Sequence, residues 1–252
     1  MKILRFFKGR QPKESAIFAI EKCVAIVVTT MIFTINVSCG EAFAQKPYDE
    51  VGIFLGGGYY NGEINPSKPF YKVQPAIGLN LRHGLNDRFA ITFQAVRCVL
   101  KGDDADFSNE YQKQRAASFE NEIIELSLQG EFNFFTLKKA SDDQFVTPYA
   151  ALGPGLIVGA FPGEGLQFCI PFGLGVKFCP KQKFTVSVEW KYRKTFTDMV
   201  DQIYEDQYDP RFGLNRCKQR SFAFNKDWYS FVGVVLSYQI FGGDGSDCRA
   251  YN

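Results

Sequence analysis

The segment from Glu125 to Phe134 alternates polar and apolar residues almost without error. One set of alternate positions is polar: Glu125, Ser127, Gln129, Glu131 and Asn133. The other set is apolar, apart from Gly130: Ile124, Leu126, Leu128, Phe132 and Phe134. A period of two predicts a β-strand with one polar and one apolar face. Such a strand fits a soluble sheet with its polar face in water, or a transmembrane barrel with lipid outside and polar side chains inside.

Seven further segments have the same strand-like character. They are Val51–Tyr60, Val73–Arg82, Phe89–Leu100, Val146–Phe161, Gln167–Cys179, Lys183–Lys194 and Trp228–Phe241. The clearest apolar face belongs to the sixth strand: Phe168, Ile170, Phe172, Leu174, Val176 and Phe178. Helical periodicity is absent, and no apolar run long enough for a transmembrane helix follows the N-terminal region.

The predicted connections alternate between short and long. The short ones are His83–Arg88 and Pro180–Gln182, and the long ones are Asn61–Lys72, Lys101–Asn121 and Thr195–Asp227. The connection Leu137–Phe145 is moderate in length and polar. Outer-membrane barrels have short periplasmic turns and longer external loops, so this alternation favours a barrel. The brief connection Pro162–Leu166 departs from it, because an external loop is expected there.

Strand length and aromatic placement also separate a barrel from a β-sandwich, which would fit the alternation equally well. The strands exceed the usual five or six residues of soluble sheets. Aromatic residues stand near strand ends, as in interface girdles: Phe134, Phe135, Tyr149, Trp190, Tyr192, Trp228 and Tyr229. The predicted fold is all-β: an eight-stranded antiparallel up-and-down transmembrane β-barrel preceded by a cleavable signal peptide.

The first 44 residues have the pattern of that signal peptide. A basic region is followed by the apolar run Val24–Ile35 and by Ala42-Phe43-Ala44, which predicts cleavage after Ala44. A lipoprotein would use Cys39, but the Leu expected before such a cysteine is missing. The organisation is therefore a signal peptide (1–44), a barrel (45–241) and a C-terminal tail (242–252), with localisation in the outer membrane.

Charge and cysteine content exclude several functional classes. The net charge of the whole chain is +2, and its basic excess lies in the leader, so nucleic acid is not an expected partner. The cysteines beyond the leader are odd in number and widely spaced: Cys98, Cys169, Cys179, Cys217 and Cys248. This spacing predicts free thiols with at most one disulfide.

The polar face of the strands predicts ion pairs inside the barrel. Glu125 and Arg193 lie at similar depth in the barrel, on strands that face each other across the lumen. Glu125 is therefore expected to pair with Arg193 or Lys191. Nearer the periplasmic end, Arg82 is the expected partner of Glu131. Eight-stranded barrels are filled by side chains, and buried charges need partners, so these pairs are interpreted as lumen filling, with a proton or ion path as the alternative.

No catalytic, cofactor-binding or metal-binding residue is predicted. Ester chemistry on such a barrel needs a histidine beside a serine at the outer rim, and the single histidine, His83, falls in a periplasmic turn. The carboxylates Asp103, Asp104 and Asp106 do not have calcium-loop spacing and are interpreted as a solvated loop. The glycine-rich stretch from Gly153 to Gly165 lacks the ending of a phosphate loop. The chain is expected to be non-enzymatic, without a cofactor or a small-molecule substrate.

The last long connection, Thr195–Asp227, is acidic in its first half and basic in its second, with aromatic residues between. It is either a self-complementary solvated loop or a folded extracellular cap that offers a surface to a partner.

Five segments resemble a known family. They are Phe54–Pro66 (FLGGGYYNGEINP), Asp104–Phe107 (DADF), Glu131–Phe135 (EFNFF), Glu189–Asp198 (EWKYRKTFTD) and Asp227–Phe231 (DWYSF). In these segments the chain resembles the PorG-like outer-membrane β-barrel proteins of the Bacteroidota. The tail from Gly242 to Asn252 departs from the family pattern, in which the chain ends at the final strand.

This resemblance implies a component of type IX protein secretion. Such a protein links the outer membrane to a periplasmic ring, so the implied partners are outer-membrane lipid and the secretion-ring proteins. No catalytic residue is implied. The alternative is a surface adhesin or envelope-stabilising barrel that acts through its extracellular loops.

Overall fold

The computed structural model describes residues 47–62, 64–135, 146–159, 166–181, 183–197, 200–201 and 227–242. This part of the chain contains nine β-strands, a short 3₁₀ helix (Asp104–Asp106) and one helix, α1 (Glu110–Arg115). The strands are β1 (Tyr48–Asn61), β2 (Gln74–Gly84), β3 (Phe89–Asp103), β4 (Ser118–Asn133), β5 (Val146–Leu152), β6 (Gly155–Gly159), β7 (Leu166–Lys181), β8 (Phe184–Thr195) and β9 (Trp228–Phe241). No helix of the described residues is long and apolar enough to cross a membrane.

The strands close into a ring in which every pairing is antiparallel. Consecutive strands pair with each other, except β5 with β6, and β1 pairs with β9 from Asp49↔Phe241 to Asn61↔Trp228. Strands β5 and β6 both lie between β4 and β7, so together they form one stave. The predicted eight-stranded antiparallel barrel is therefore confirmed.

The fifth stave is divided at Gly153 and Pro154, which corrects the continuous strand predicted from Val146 to Phe161. Proline has no N–H to donate to a sheet ladder, so regular pairing stops there. The stave nevertheless stays bonded to both neighbours, because Leu128 N donates to Pro154 O at 3.0 Å and Gly153 N donates to Pro171 O at 3.1 Å. The pairing before and after the break keeps the same register.

Two ends of the barrel can now be defined. The turn end carries the first residue of β1, the last residue of β9 and the β2–β3 turn, in which Leu85 N donates to Phe89 O at 2.9 Å. The loop end carries residues 62–73 and 104–117. His83 was predicted in the turn, but it belongs to β2 and lies at the turn end beside Asp49.

The two faces of the wall have opposite polarity along most of the barrel. The apolar alternate residues of β2, β3, β4, β7, β8 and β9 point outward, including the sets predicted for β4 and β7, and Ile77, Leu79 and Leu174 are among the most exposed. The alternate residues, including Glu125 and Arg193, are fully buried inside. An apolar exterior of this extent around a polar interior is the arrangement of a membrane-spanning barrel, because a soluble protein rarely exposes such a surface.

Several predictions fall on residues outside the described ranges. These are the signal peptide, the connection from Leu137 to Phe145, most of the connection from Pro162 to Leu166, most of the Thr195–Asp227 loop, Cys217, Cys248 and the tail beyond Gly242.

Candidate functional site

Near the turn end, the interior is filled by a four-residue charge cluster centred on Arg82. Its Nη1 donates to Glu50 Oε2 at 2.7 Å and its Nε donates to Glu131 Oε2 at 2.9 Å. Lys177 Nζ donates to the same Glu131 oxygen at 2.6 Å, and Thr92 Oγ1 donates to the other at 2.7 Å. The predicted pair of Arg82 with Glu131 is confirmed, and Glu131 is shared between two cations.

Glu189 organises the middle of the lumen. Its Oε2 lies 2.8 Å from Lys191 Nζ on the same strand and accepts from Tyr149 OH at 2.8 Å. Its Oε1 accepts from Gln94 Nε2 at 2.9 Å. Tyr149 was predicted in an outer aromatic girdle, but β5 turns it inward, where its hydroxyl meets a carboxylate.

Towards the loop end, Glu125 pairs with Arg193, whose Nε lies 3.0 Å from Glu125 Oε2. The same oxygen accepts from Tyr229 OH at 2.6 Å, so Tyr229 is another predicted girdle residue that lies inside. The guanidinium of Arg193 also stacks over Phe231, 4.2 Å from its ring centre. The predicted choice for Glu125 is thereby resolved in favour of Arg193.

The described staves therefore bury four carboxylates and four cations in the lumen: Glu50, Glu125, Glu131, Glu189, Arg82, Lys177, Lys191 and Arg193. Each carboxylate lies within ion-pair distance of at least one cation. Burying an isolated charge is unfavourable, so the closed barrel depends on this balanced pairing of buried charges. It is suited to structural support, and it leaves the two ends as the accessible surfaces.

Above this network the polarity of the wall inverts. On β3 and β4 the outward residues become charged, with Arg97 Nε 2.6 Å from Glu122 Oε1 and Lys101 Nζ 3.0 Å from Glu120 Oε1. The inward residues become apolar and form a buried cluster, whose members include Leu100, Phe119 and Ile123. A polar outside around an apolar inside is the pattern of a water-soluble fold, so the β3–β4 hairpin extends beyond the apolar band.

The beginning and end of the last long loop close this apolar core. Val200 is fully buried in it, and its backbone oxygen accepts from Asn121 Nδ2 at 3.0 Å. Tyr60 OH donates to Asp227 Oδ1 at 2.6 Å and lies 2.9 Å from Asp201 Oδ2. Thr195 Oγ1 donates to the backbone oxygen of Asp227 at 2.6 Å. The described residues of this loop, 195–197, 200–201 and 227, therefore pack into the mouth of the barrel, and we call them the plug.

The three aspartates at the end of β3 and just after it serve local structure. Asp103 caps the 3₁₀ helix by accepting from Ala105 N at 3.0 Å, and buried Asp104 accepts from Ala117 N at 3.0 Å. Asp106 is exposed, with Lys72 Nζ at 2.7 Å and Tyr71 OH at 2.6 Å from its Oδ2. No group of three or more potential ligands among the described residues is arranged to hold a metal ion.

The contacts of Asp106 shift the ionisation of this small cluster. Hydrogen bonds from Lys72 and then from Tyr71 hold the pKa of Asp106 below its ordinary value. Partial burial and the bond to Asp106 raise the pKa of Tyr71 to about 12. Burial opposes the charge of Lys72, but its bonds to Asp106 and Tyr71 prevail and raise its pKa. The cluster ties residues 71–72 to the end of β3.

A family model described as "Domain of unknown function (DUF6089)" matches residues 27–159, which is more than half of the chain. The chain belongs to the DUF6089 family. No curated protein matches it.

Several solved structures are similar in outline to this DUF6089 protein. Neisserial surface protein A (NspA) has 10% identity, covers 77% of this chain and 97% of its own, and gives a TM-score of 0.45. The attachment invasion locus protein Ail of Yersinia pestis, in complex with the heparin analogue sucrose octasulfate, has 11% identity. The match covers 79% of this chain and 100% of Ail, with a TM-score of 0.40. The N-terminal β-barrel domain of Pseudomonas aeruginosa OprF has 12% identity. The match covers 76% of this chain and 99% of the OprF domain, with a TM-score of 0.39.

Sequence reasoning missed some lumen residues of this DUF6089 chain. Glu50 precedes the predicted first strand, and Lys177 follows two glycines, Gly173 and Gly175, on the inner face of β7. Continuing the period of two by one residue before Val51 would have placed Glu50 inside. Cys98 and Cys169 are free thiols, as predicted, and all three described cysteines, Cys98, Cys169 and Cys179, are buried.

Proposed function

We propose that this protein is a non-enzymatic outer-membrane β-barrel and a component of type IX protein secretion, linking the outer membrane to a periplasmic ring. The observation that supports a structural role best is the filled, charge-balanced lumen, which leaves the two ends for contacts with other molecules. The secretion role itself rests on the resemblance in the segments around Phe54, Glu131 and Trp190.

The apolar exterior supports the placement in a membrane. Its turn end carries exposed aromatic residues, among them Phe134, Phe135 and Phe241, as expected at a lipid–water interface. In the usual orientation of outer-membrane barrels the short turns face the periplasm. The turn from Leu85 to Arg88 would then be the described surface best placed to meet a periplasmic partner.

A photo-crosslinking experiment tests this proposal. The Arg88 side chain is exposed, so a photoreactive amino acid in its place should leave the barrel intact. We expect irradiation of cells to link it to subunits of the periplasmic ring, and purification of the tagged full-length protein to recover the same subunits. The same probe at Arg97, at the loop end, is the matched control. Recovery of no ring subunit, together with normal secretion in a deletion strain, would rule out the secretion role.

A second candidate function is a surface adhesin or envelope-stabilising barrel that acts through its extracellular loops. The polarity inversion on β3 and β4 and the plug around Val200 favour it, because they form a folded, water-facing cap. Deleting residues 202–226 should then abolish adhesion or envelope integrity while secretion continues. If the deletion strain loses secretion as well, the loop cannot be separated from the secretion role.

A further inference from the structure

The outer wall carries a cluster of aromatic side chains on one side of its loop end. We call it the aromatic platform: Tyr59, Phe70, Phe172, Trp190, Tyr192 and Trp228. Neighbouring ring centres lie 5.5 Å apart for Phe70–Trp190, 5.6 Å for Trp190–Tyr192, 6.4 Å for Phe172–Tyr192 and 6.0 Å for Phe172–Trp228. The first three pairs are tilted by only 27–37°.

Hydrogen bonds beneath the rings fix them in place. Trp190 Nε1 donates to Tyr59 OH at 3.2 Å and to Ser230 Oγ at 3.0 Å, and Tyr59 OH donates to Tyr192 OH at 3.3 Å. Tyr59 and Ser230 point outward from the barrel, yet both are fully buried. The polar atoms are therefore satisfied internally, and the platform presents preorganised ring faces to its surroundings.

Phe70 is brought to the platform by an unusual loop conformation. Phe70 and Lys72 have φ angles of 58° and 45°, in the left-handed region that non-glycine residues seldom occupy. The loop folds down over the wall, so that the Phe70 ring lies 5.2 Å from that of Tyr59. Phe70 remains 49% exposed, and it therefore extends the platform outward from the wall.

A cation borders the platform at its upper edge. Lys194 Nζ lies 5.3 Å from the centre of the Trp228 ring. Among the described residues, no carboxylate lies within ion-pair distance of Lys194. The facing wall differs, because its cations Arg97 and Lys101 are both paired with glutamates. The platform side thus combines flat ring faces, an available ammonium group and continuity with the apolar band below.

We propose that the aromatic platform binds the head group of an anionic glycolipid in the outer leaflet. Acyl chains would lie along the apolar wall, a sugar ring would stack on the faces of Trp190 and Phe70, and a phosphate would meet Lys194. The faces of aromatic rings carry partial negative charge, which suits contact with the C–H faces of sugar rings. Basic residues at the membrane surface bind anionic head groups. This inference rests on the outer-membrane placement in the proposed function.

The chain's only two tryptophans, Trp190 and Trp228, both belong to the platform, so tryptophan fluorescence reports binding directly. The full barrel in lipid nanodiscs is titrated with a bisphosphorylated lipid A, with its dephosphorylated form and with phosphatidylethanolamine. We expect a saturable change in emission with the first, about fivefold weaker binding of the second, and no saturable change with the third.

Two variants and a control locate the site. Lys194→Gln should weaken binding of the phosphorylated glycolipid about fivefold and remove the difference between the two glycolipids. Phe70→Ala should weaken binding of both glycolipids, because it removes a ring face without touching the charge. Lys101→Gln, on the facing wall, should bind like the unaltered protein.

The outcomes separate this inference from the proposed function. No saturable change with any lipid, equal affinity for all three lipids, or unaltered binding by Lys194→Gln would each overturn the platform proposal. Membrane insertion is checked independently by testing whether the barrel stays folded in detergent when the sample is not heated. If the chain does not insert at all, the proposed outer-membrane function fails too. If it inserts without selective binding, only the platform proposal fails.

Discussion

Glu131 shows how a single buried carboxylate can bind several partners in the lumen. One of its oxygens accepts from Arg82 and Lys177, and the other accepts from Thr92. Removing one member of such a buried set leaves the opposite charge without compensation, which is more costly than losing an exposed ion pair.

Replacing Glu131 with Gln should therefore destabilise the barrel by roughly 3–5 kcal/mol. The exposed change Arg97→Gln should cost only about 0–1 kcal/mol. Urea unfolding in lipid vesicles, followed by tryptophan fluorescence, measures both free energies of unfolding. The double variant Glu131→Gln/Lys177→Met restores the charge balance and should recover part of the loss. Equal effects of Glu131→Gln and Arg97→Gln would contradict this account of the lumen.

Asp106 provides a residue-scale prediction outside the membrane-spanning part. The pKa of Asp106 lies below its ordinary value of 3.8, because the ionised carboxylate is bonded to Lys72 and Tyr71. These bonds therefore stabilise the folded loop end above pH 3.8. The stabilisation is lost as the pH falls through the lowered pKa of the folded state. Lys72→Gln should raise the pKa of Asp106 back towards 3.8, because it removes the largest cause of the shift. Lys68→Gln should have a smaller effect. Titration of the Asp106 carboxyl ¹³C signal by NMR measures its pKa in both variants. Equal shifts in the two variants would contradict Lys72 as the main cause.

At the scale of the strands, the sequence predicts the fold well where the bilayer acts as the solvent. There one face must be apolar, so a period of two identifies both the strand and its orientation, as between Ile124 and Asn133. The pattern misleads beyond the apolar band, because the polarity of the two faces inverts. For that reason the start of β4 at Ser118 and the end of β3 at Asp103 were missed.

Tyrosine positions and the plug could not be derived from periodicity. Tyr149 and Tyr229 have a ring that suits an interface and a hydroxyl that suits a buried carboxylate, so residue type alone does not decide between the two environments. Val200 enters the core through contacts with residues far away in the chain, such as Asn121. Its burial depends on tertiary structure that no local pattern encodes.

The closing seam between β1 and β9 requires Gly56. A Cβ at Gly56 would lie 2.3 Å from Val232 O and 2.7 Å from Gly233 Cα, both backbone atoms that cannot move aside cheaply. Gly56→Ala should destabilise the barrel by at least about 1–3 kcal/mol and slow its closure. Gly130→Ala is a matched control, because its Cβ would meet only Leu152 O, at 3.8 Å. Heat-modifiable gel mobility measures closure, and normal folding of Gly56→Ala would show that the seam can open to accept a methyl group.

At the scale of the barrel, ion pairs fill the lower lumen, and the apolar core with its plug fills the mouth. Eight-stranded barrels of this kind have no open passage. The purified protein in a planar bilayer should therefore give no single-channel conductance steps. Regular steps from a preparation shown to contain folded barrel would mean that the plug opens, and would revive an ion path as a function.

The polarity inversion on the β3–β4 hairpin also has a consequence for assembly. Before the barrel is complete, the loop end has to pass through the hydrocarbon layer, and it carries Arg97, Lys101, Glu120 and Glu122 on its outer face. Transfer of these groups through hydrocarbon is unfavourable, so it slows translocation of the hairpin tip. The rate of insertion into a plain vesicle should therefore rise when a catalyst of assembly locally thins the bilayer.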